Sequence, residues 1–138
     1  MKKAWLIIII ALSVLAVITG YTILDSIFPK ASPINYPDTE NILTITLINN
    51  SGGTLSVEAT NFDKILKNFT DAKPTRKMSV NDYPTAKTYY TIKIDTDSRE
   101  YRYFLYSENS QVYIEIPYKG IYKTNQHFFN YVTMHLNI

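Results

Sequence analysis

The chain of 138 residues contains no cysteine, only four glycines and two histidines, and a single tryptophan. Without cysteine there are no disulfides, thiol nucleophiles or thiolate metal ligands, so a folded domain must be held by its packed core. No serine lies in a G-x-S-x-G or S-x-x-K motif, and the lone Gly52-Gly53 pair is not a phosphate-binding loop. The sequence therefore favours a protein that is not an enzyme, and it predicts no cofactor.

Metal-binding patterns are also missing. His127 and His135 lie eight residues apart on a predicted helix, which separates them by roughly 12 Å, too far to share one ion. Asp95, Asp97 and Glu100 surround a predicted turn, but they lack the dense oxygen ligands, the glycine and the closing glutamate of a calcium loop. We expect surface histidines and turn-forming acids, and no metal site.

Charge is absent from residues 4–24, an apolar run that directly follows Lys2 and Lys3. At about 1.5 Å per residue, a helix of this length spans roughly 30 Å, the thickness of the hydrocarbon core of a bilayer. Because basic residues before such a run are retained inside, we predict a cytoplasmic N-terminus and a domain outside the cell membrane. Residues 1–24 are thus interpreted as a single-pass signal-anchor.

A cleaved signal peptide, followed by secretion, is the alternative interpretation of the same segment. The run has no A-x-A cleavage motif and no cysteine for lipidation, and it exceeds the usual apolar core of about 7–15 residues. These features favour an uncleaved anchor. A buried core helix is disfavoured, because a helix that is apolar all round needs a larger protein to cover it.

The net charge of +2 comes from the residues that precede the apolar run. Lys2 and Lys3 are two of the 14 basic residues, and the remaining 12 equal the 12 acidic residues, so the rest of the chain is formally neutral. A neutral domain lacks the basic surface that nucleic-acid binding requires. We therefore predict no nucleic-acid partner.

The rest of the chain predicts one small domain behind a linker. Residues 25–41 contain three prolines and no sustained period, which is typical of an extended linker, and residues 42–138 are predicted to form the domain. Alternating apolar residues predict strands over 42–48, 54–59, 88–95, 100–106 and 112–116. Apolar residues at helical spacing predict helices after Thr60, where Thr60 and Asp63 fit a capping box, and over 125–136.

This order, β-β-α-β-β-β-α, predicts an α+β fold with one antiparallel sheet covered on one face by two helices. The polar, irregular residues 71–85 form the longest predicted loop and a candidate functional surface.

The stretch Tyr113–Tyr122, YIEIPYKGIY, follows a tyrosine-rich strand and precedes a short terminal helix. With this P-Y-x-G-I-Y motif the chain resembles small extracytoplasmic domains of Firmicutes, Gram-positive bacteria, which are catalogued as domains of unknown function. The resemblance implies a compartment and a fold type, and it supplies no catalytic residue. Physically, Pro117 predicts a strand end, and Gly120 predicts a backbone conformation closed to other residues.

The aromatic residues supply the candidate binding surface. Twelve tyrosines are many for this length, and four aromatic side chains are predicted on the outer, uncovered face of the sheet: Tyr89, Phe104, Tyr106 and Tyr113. Exposed aromatic rings can bind a protein partner or stack on sugar rings. The simpler interpretation is that tyrosine is common in strands because it suits their half-buried surface.

These observations favour a membrane-anchored domain that recognises a protein or another cell-envelope component, such as a glycan. One alternative is a small envelope glycan hydrolase, which requires two acidic residues in one cleft. Another is an accessory or immunity protein that acts on a neighbouring membrane protein through residues 4–24.

Overall fold

The computed structural model describes residues 2–136, which divide into an N-terminal unit up to Lys30 and a globular unit from Ala31 onward. The N-terminal unit contains one helix, α1 (Lys2–Ile27). Its length and composition suffice to cross a membrane, a property that signal sequences share. The hydroxyl groups of Ser13 and Thr19 each donate to the carbonyl four residues earlier at 2.8 Å, so neither is left unpaired in an apolar environment.

The globular unit is built on a seven-stranded antiparallel sheet with the strand order β2-β1-β4-β5-β6-β7-β3. The strands are β1 (Ile42–Asn49), β2 (Thr54–Ser56), β3 (Lys73–Pro74), β4 (Tyr90–Thr96), β5 (Glu100–Glu108), β6 (Gln111–Ile116) and β7 (Gly120–Thr124). Two helices, α2 (Phe62–Thr70) and α3 (Gln126–Leu136), accompany the sheet. This arrangement confirms the predicted α+β class.

The main core lies between the two helices and one face of the sheet. Alternate residues of the central strands are fully buried in it, among them Ile45, Leu47, Ile92, Ile94, Leu105 and Ile114. The Phe69 ring of α2 joins the layers: its centroid lies 4.5 Å from that of Tyr103 and 6.3 Å from that of Phe128. The alternation of strand residues and the helical spacing of Phe62, Ile65, Leu66 and Phe69 thus placed this core correctly.

The start of helix α2 differs from the sequence prediction. The predicted capping box at Thr60 is wrong: Asn61 precedes α2 without a side-chain cap, and Asp63 instead accepts a hydrogen bond from the Thr39 hydroxyl at 3.0 Å. Helix α3 does have a side-chain cap, because Asn125 Oδ1 accepts the Phe128 N–H at 2.8 Å.

Strand β7 is absent from the predicted order. Pro117 begins a tight turn in which the Lys119 N–H donates to the Ile116 carbonyl at 3.0 Å, and the chain returns as β7 beside β6. The positive φ of +59° falls on Tyr118 and not on Gly120. Gly120 is required for space, since a Cβ there would overlap the Cβ of Ala31.

Of the linker predicted over residues 25–41, only residues 28–30 belong neither to α1 nor to the globular unit. Residues 25–27 continue α1, and residues 31–41, here called the entry segment, pack on the globular unit. The Tyr122 hydroxyl donates to the Ser32 carbonyl at 2.6 Å and the Tyr103 hydroxyl to the Asn35 carbonyl at 2.8 Å. These tyrosines lie 90 and 68 residues away, so the local proline content of the segment gave no sign of the contacts.

The second face of the sheet is covered by residues 75–89, here called the cover segment, which includes most of the predicted loop. Its first residues pair with β7: the Thr75 N–H donates to the Ile121 carbonyl at 3.0 Å, and the Ile121 N–H donates to the Lys77 carbonyl at 3.3 Å. At the other end of the segment, the Tyr89 N–H donates to Asn50 Oδ1 at 3.2 Å. Pro84, which lies between the two ends of the segment, is buried. The globular unit thus has helices on one face of the sheet and an irregular segment on the other.

Candidate functional site

The four predicted surface aromatics lie on the same face of the sheet and pack in two pairs. The ring centroids of Tyr89 and Phe104 are 5.4 Å apart, and those of Tyr106 and Tyr113 are 5.7 Å apart. Their predicted exposure is wrong for two of them, because Phe104 is 1% exposed and Tyr106 is 6% exposed. Tyr89 and Tyr113 are half-buried. Sequence alternation assigned the correct face but could not indicate that this face is covered.

The cover segment makes direct contacts with these rings. The Tyr83 ring lies 5.6 Å from that of Phe104 and 6.4 Å from that of Tyr89, measured between centroids. The Lys77 ammonium lies 4.7 Å from the centroid of Tyr113, in reach of a cation–π interaction. Phe104, Tyr106 and Tyr113 therefore form a second, smaller core together with Tyr83 and Tyr89 of the cover segment.

A buried polar cluster lies in this second core. The Ser79 hydroxyl donates to Glu115 Oε1 at 2.8 Å, and both residues are buried. Burial raises the pKa of the Tyr106 phenol, and the nearby Glu115 carboxylate raises that pKa further. The hydrogen bond from Ser79 gives the buried carboxylate a neutral donor and fastens the cover segment to β6.

The cover segment and the turn bonded to it expose four large apolar side chains. Met78, Val80, Tyr83 and Tyr118 of the adjacent turn, here called the cover patch, are 66%, 66%, 54% and 65% exposed. The Tyr118 hydroxyl donates to Asp82 Oδ1 at 2.9 Å, which joins the turn to the cover segment and raises the pKa of Tyr118. No periodicity marks this patch in the sequence, because it is formed by irregular backbone.

A polar depression of about 550 Å³ lies between the entry segment and the β4–β5 turn. It is lined by Asn35, Tyr36, Pro37, Asp38, Asn41, Thr96, Asp97, Ser98 and Tyr101. Amide, carboxylate and hydroxyl groups thus surround two aromatic rings. Of these residues only Asp97 was among the sequence candidates, because five of the nine lining residues come from the segment predicted to be a linker.

The acidic residues of the β4–β5 region have different environments. Asp95 forms an ion pair with Lys93 at 3.0 Å and accepts the Thr44 hydroxyl at 2.8 Å. The hydrogen bond to Asp95 raises the pKa of Lys93, and the hydrogen bond from Lys93 lowers the pKa of Asp95. Glu100 accepts a hydrogen bond from Arg102 Nε at 3.0 Å. Of the three predicted turn acids, only Asp97 is free of such partners within residues 2–136.

The two histidines lie on the exposed part of α3. His135 Nδ1 lies 2.7 Å from the Tyr131 carbonyl, and its ring contacts the Tyr131 ring at 4.6 Å between centroids. Among the described residues, no group of three or more histidine and acidic side chains converges on a point where a metal ion could bind.

Comparison with known proteins identifies related domains. Residues 30–123 match the family DUF5301, described as "Domain of unknown function (DUF5300)". The match begins beside Ala31, so the entry segment and the cover segment both belong to the domain that this family shares.

One similar solved structure is the NMR structure of a protein from Ruminococcus gnavus. It is 32% identical to this chain, with a TM-score of 0.60, over 70% of this chain and 99% of that one. No curated protein matches the sequence.

Proposed function

The chain belongs to the domain family DUF5301, whose description assigns no function, and we therefore propose its function from its own geometry. We propose that it is a membrane-anchored extracytoplasmic domain that recognises a protein partner at the cell envelope and has no enzymatic activity. Helix α1 serves as the anchor in this proposal, and Lys2 and Lys3 orient it with the N-terminus in the cytoplasm.

The observation that carries the proposal is the cover patch. Six large apolar side chains are well exposed among the described residues of the globular unit, and four of them belong to this patch. Tyrosine and methionine are enriched in protein interfaces, where a few such side chains provide most of the binding energy. A cluster of them on a small domain favours a binding surface over chance exposure.

The charges around the patch favour a protein over a lipid surface. Lys77 and Lys119 are chain neighbours of Met78 and Tyr118. Asp82 accepts the Tyr118 hydroxyl, and Lys77 Nζ is 3.6 Å from Glu108 Oε2. An anionic bilayer attracts a predominantly basic rim, whereas this mixed rim fits a partner that has charges of both signs.

The test is cross-linking in cells that produce the full-length protein, followed by mass spectrometry of the adducts. We expect one membrane or envelope protein to be cross-linked to residues of the cover segment. The substitutions Met78→Ser, Val80→Ser and Tyr118→Asn should together remove this adduct, and asparagine is chosen because it tolerates the positive φ. Leu43→Ser and Met134→Ser, which change equally exposed apolar residues outside the patch, should leave it intact.

An adduct that survives the three patch substitutions would contradict this assignment of the surface. If the adduct is lost instead when residues 4–24 are replaced by an unrelated membrane helix, the protein acts on its neighbour through the anchor, as an accessory or immunity protein would.

A second candidate function, glycan hydrolysis, is favoured by one observation: Asp38 and Asp97 line the same depression. Both carboxyl groups are exposed, whereas a general acid needs an environment that keeps it protonated at neutral pH. Binding is therefore the better supported role of these residues. The test is the release of reducing sugar from cell-wall glycan by the full-length protein. If sugar is released, and if Asp38→Asn or Asp97→Asn abolishes the release, hydrolysis becomes the better supported role.

A further inference from the structure

We propose that the polar depression is a binding site for an uncharged carbohydrate. The site is separate from the cover patch, and the proposal does not depend on recognition of a protein there. It rests on the hydrogen-bonding capacity, the rigidity and the charge of the residues that line the depression.

Four planar polar side chains in the depression have unused hydrogen-bonding groups. Within residues 2–136, the side chains of Asn35, Asp38, Asn41 and Asp97 make no hydrogen bond or ion pair with other residues. An amide both donates and accepts, and a carboxylate accepts through two oxygens. Neighbouring hydroxyl groups of a sugar ring also donate and accept, so a set of amides and carboxylates complements them.

The backbone that carries these side chains is already fixed. The Asn35 carbonyl accepts the Tyr103 hydroxyl at 2.8 Å, and the Asn41 N–H donates to the Asp38 carbonyl at 2.9 Å. On the other side, Thr96 Oγ1 closes the β4–β5 turn by donating to the Arg99 carbonyl at 2.8 Å. A site that is formed before the ligand arrives does not lose binding energy to ordering its loops.

Two tyrosine rings give the depression an apolar surface. The Tyr36 ring packs 6.0 Å from Phe69 between centroids, and its hydroxyl is hydrogen-bonded to Thr70 Oγ1 at 2.6 Å. The Tyr101 ring is held by the Arg99 guanidinium, 4.2 Å from its centroid. Both rings are half-buried, so part of each remains available to the C–H groups of a sugar.

The charge of the depression selects among sugars. Asp38 and Asp97 contribute two negative charges, and no lysine, arginine or histidine is among the residues that line it. The Arg99 guanidinium on the Tyr101 ring offsets one of these charges, so the surroundings remain negative by one charge. A uronic acid or a phosphorylated glycan would bring like charge close to these carboxylates. A calcium site usually gathers several acidic side chains around one point, and among the described residues no group of three or more histidine, aspartate or glutamate side chains converges in this way. An uncharged sugar meets neither obstacle.

The experiment uses the full-length protein in lipid nanodiscs and detects bound sugars by ligand-observed NMR. The probes are neutral oligosaccharides of glucose, galactose, mannose and N-acetylglucosamine, each compared with an oligosaccharide that contains uronic acid. We expect at least one neutral probe to bind and the acidic probes to bind more weakly. Asn35→Ala and Asn41→Ala should each weaken the neutral complex by about tenfold, as loss of a buried hydrogen bond does.

The acidic residues provide a separate signature. Asp38→Asn together with Asp97→Asn should raise the affinity for acidic probes relative to neutral ones, because the repelling charges are removed and the shapes are kept. Asn81→Ala and Asp71→Asn, exposed residues of the same types outside the depression, should change neither affinity.

Three results would overturn the proposal: no neutral probe binds to the folded protein, the Asn35 and Asn41 variants bind as well as the unchanged protein, or acidic probes bind more tightly. The variants of the cover patch distinguish the two proposals, since they should abolish the protein adduct and leave sugar binding unchanged.

Discussion

Aromatic residues have three different roles in this protein, and the surroundings of each ring decide which. Phe104 fills the second core, Tyr103 and Tyr122 use buried hydroxyls to hold the entry segment, and Tyr118 is exposed in the cover patch. Sequence alternation distinguishes the two faces of a strand, but it cannot separate these roles, because all of them occur on strands or at strand ends.

Phe104→Ala tests whether the second face is a core or a free surface. Phe104 is fully buried against Tyr83 and Tyr89, so its truncation leaves a cavity and should lower the free energy of unfolding by about 3 kcal/mol or more. Leu43→Ala, at a well-exposed position on β1, should change it by less than about 0.5 kcal/mol. The measurement is urea unfolding followed by the tyrosine band in near-ultraviolet circular dichroism; equal midpoints for the two variants would mean that the second face is open.

At the scale of elements, the cover segment depends on a small number of contacts with the sheet. Ser79→Ala removes the hydrogen bond to the buried Glu115 carboxylate and leaves that acceptor without this donor. The change should lower the free energy of unfolding by about 1–3 kcal/mol. We expect faster hydrogen exchange at the amides of Thr75 and Ile121 and little change in β4. Ser107→Ala, at an exposed position on β5, should leave exchange unchanged, and unaltered exchange in the Ser79 variant would show that other contacts hold the segment.

The entry segment should loosen at alkaline pH. Burial raises the pKa of the Tyr103 and Tyr122 phenols, which donate to Asn35 and Ser32, above the usual value of about 10. A raised pKa in the folded state means that the unfolded state releases its protons first, so stability is complete below about pH 10 and falls above it.

Replacement of these tyrosines by phenylalanine checks the alkaline effect. Tyr122→Phe should lower the free energy of unfolding by about 1 kcal/mol at neutral pH and reduce its decline above pH 10. Tyr83→Phe, at an exposed ring, should keep the full decline. Urea midpoints at pH 8 and pH 11 measure both effects, and an identical decline in the Tyr122 variant would contradict the explanation.

The parts of the fold that could be predicted are those encoded by local periodicity. The β4–β5–β6 meander and the buried faces of α2 and α3 follow from residues a few positions apart. The entry segment, the cover segment and β7 could not be predicted, because their partners are distant in sequence and their backbones are irregular or begin after a proline. Both candidate binding surfaces arise from these irregular segments, which is why the sequence pointed instead to the regular strands.

At the scale of the whole molecule, the chain combines an apolar helix with one globular unit that a family of domains shares. If the helix remains attached, the globular unit is confined to the membrane surface, and even weak binding sites act at a high effective concentration. Both proposed activities, recognition of a protein and binding of a carbohydrate, therefore depend on where the globular unit is located.

Labelling of a single introduced cysteine tests whether the globular unit lies outside the cell membrane and remains attached to α1. The natural chain has no cysteine, so Met134→Cys, at an exposed position on α3, creates a unique thiol in the globular unit. Intact cells that produce this full-length variant are treated with a membrane-impermeant maleimide, separated into membrane and soluble fractions, and the labelled protein is weighed by mass spectrometry.

We expect labelling in intact cells, recovery in the membrane fraction, and a mass that includes residues 4–24. Labelling that requires lysis would place the globular unit in the cytoplasm and contradict its proposed location outside the cell membrane. A labelled protein that is released into the medium without residues 4–24 would show that the helix is a cleaved signal peptide.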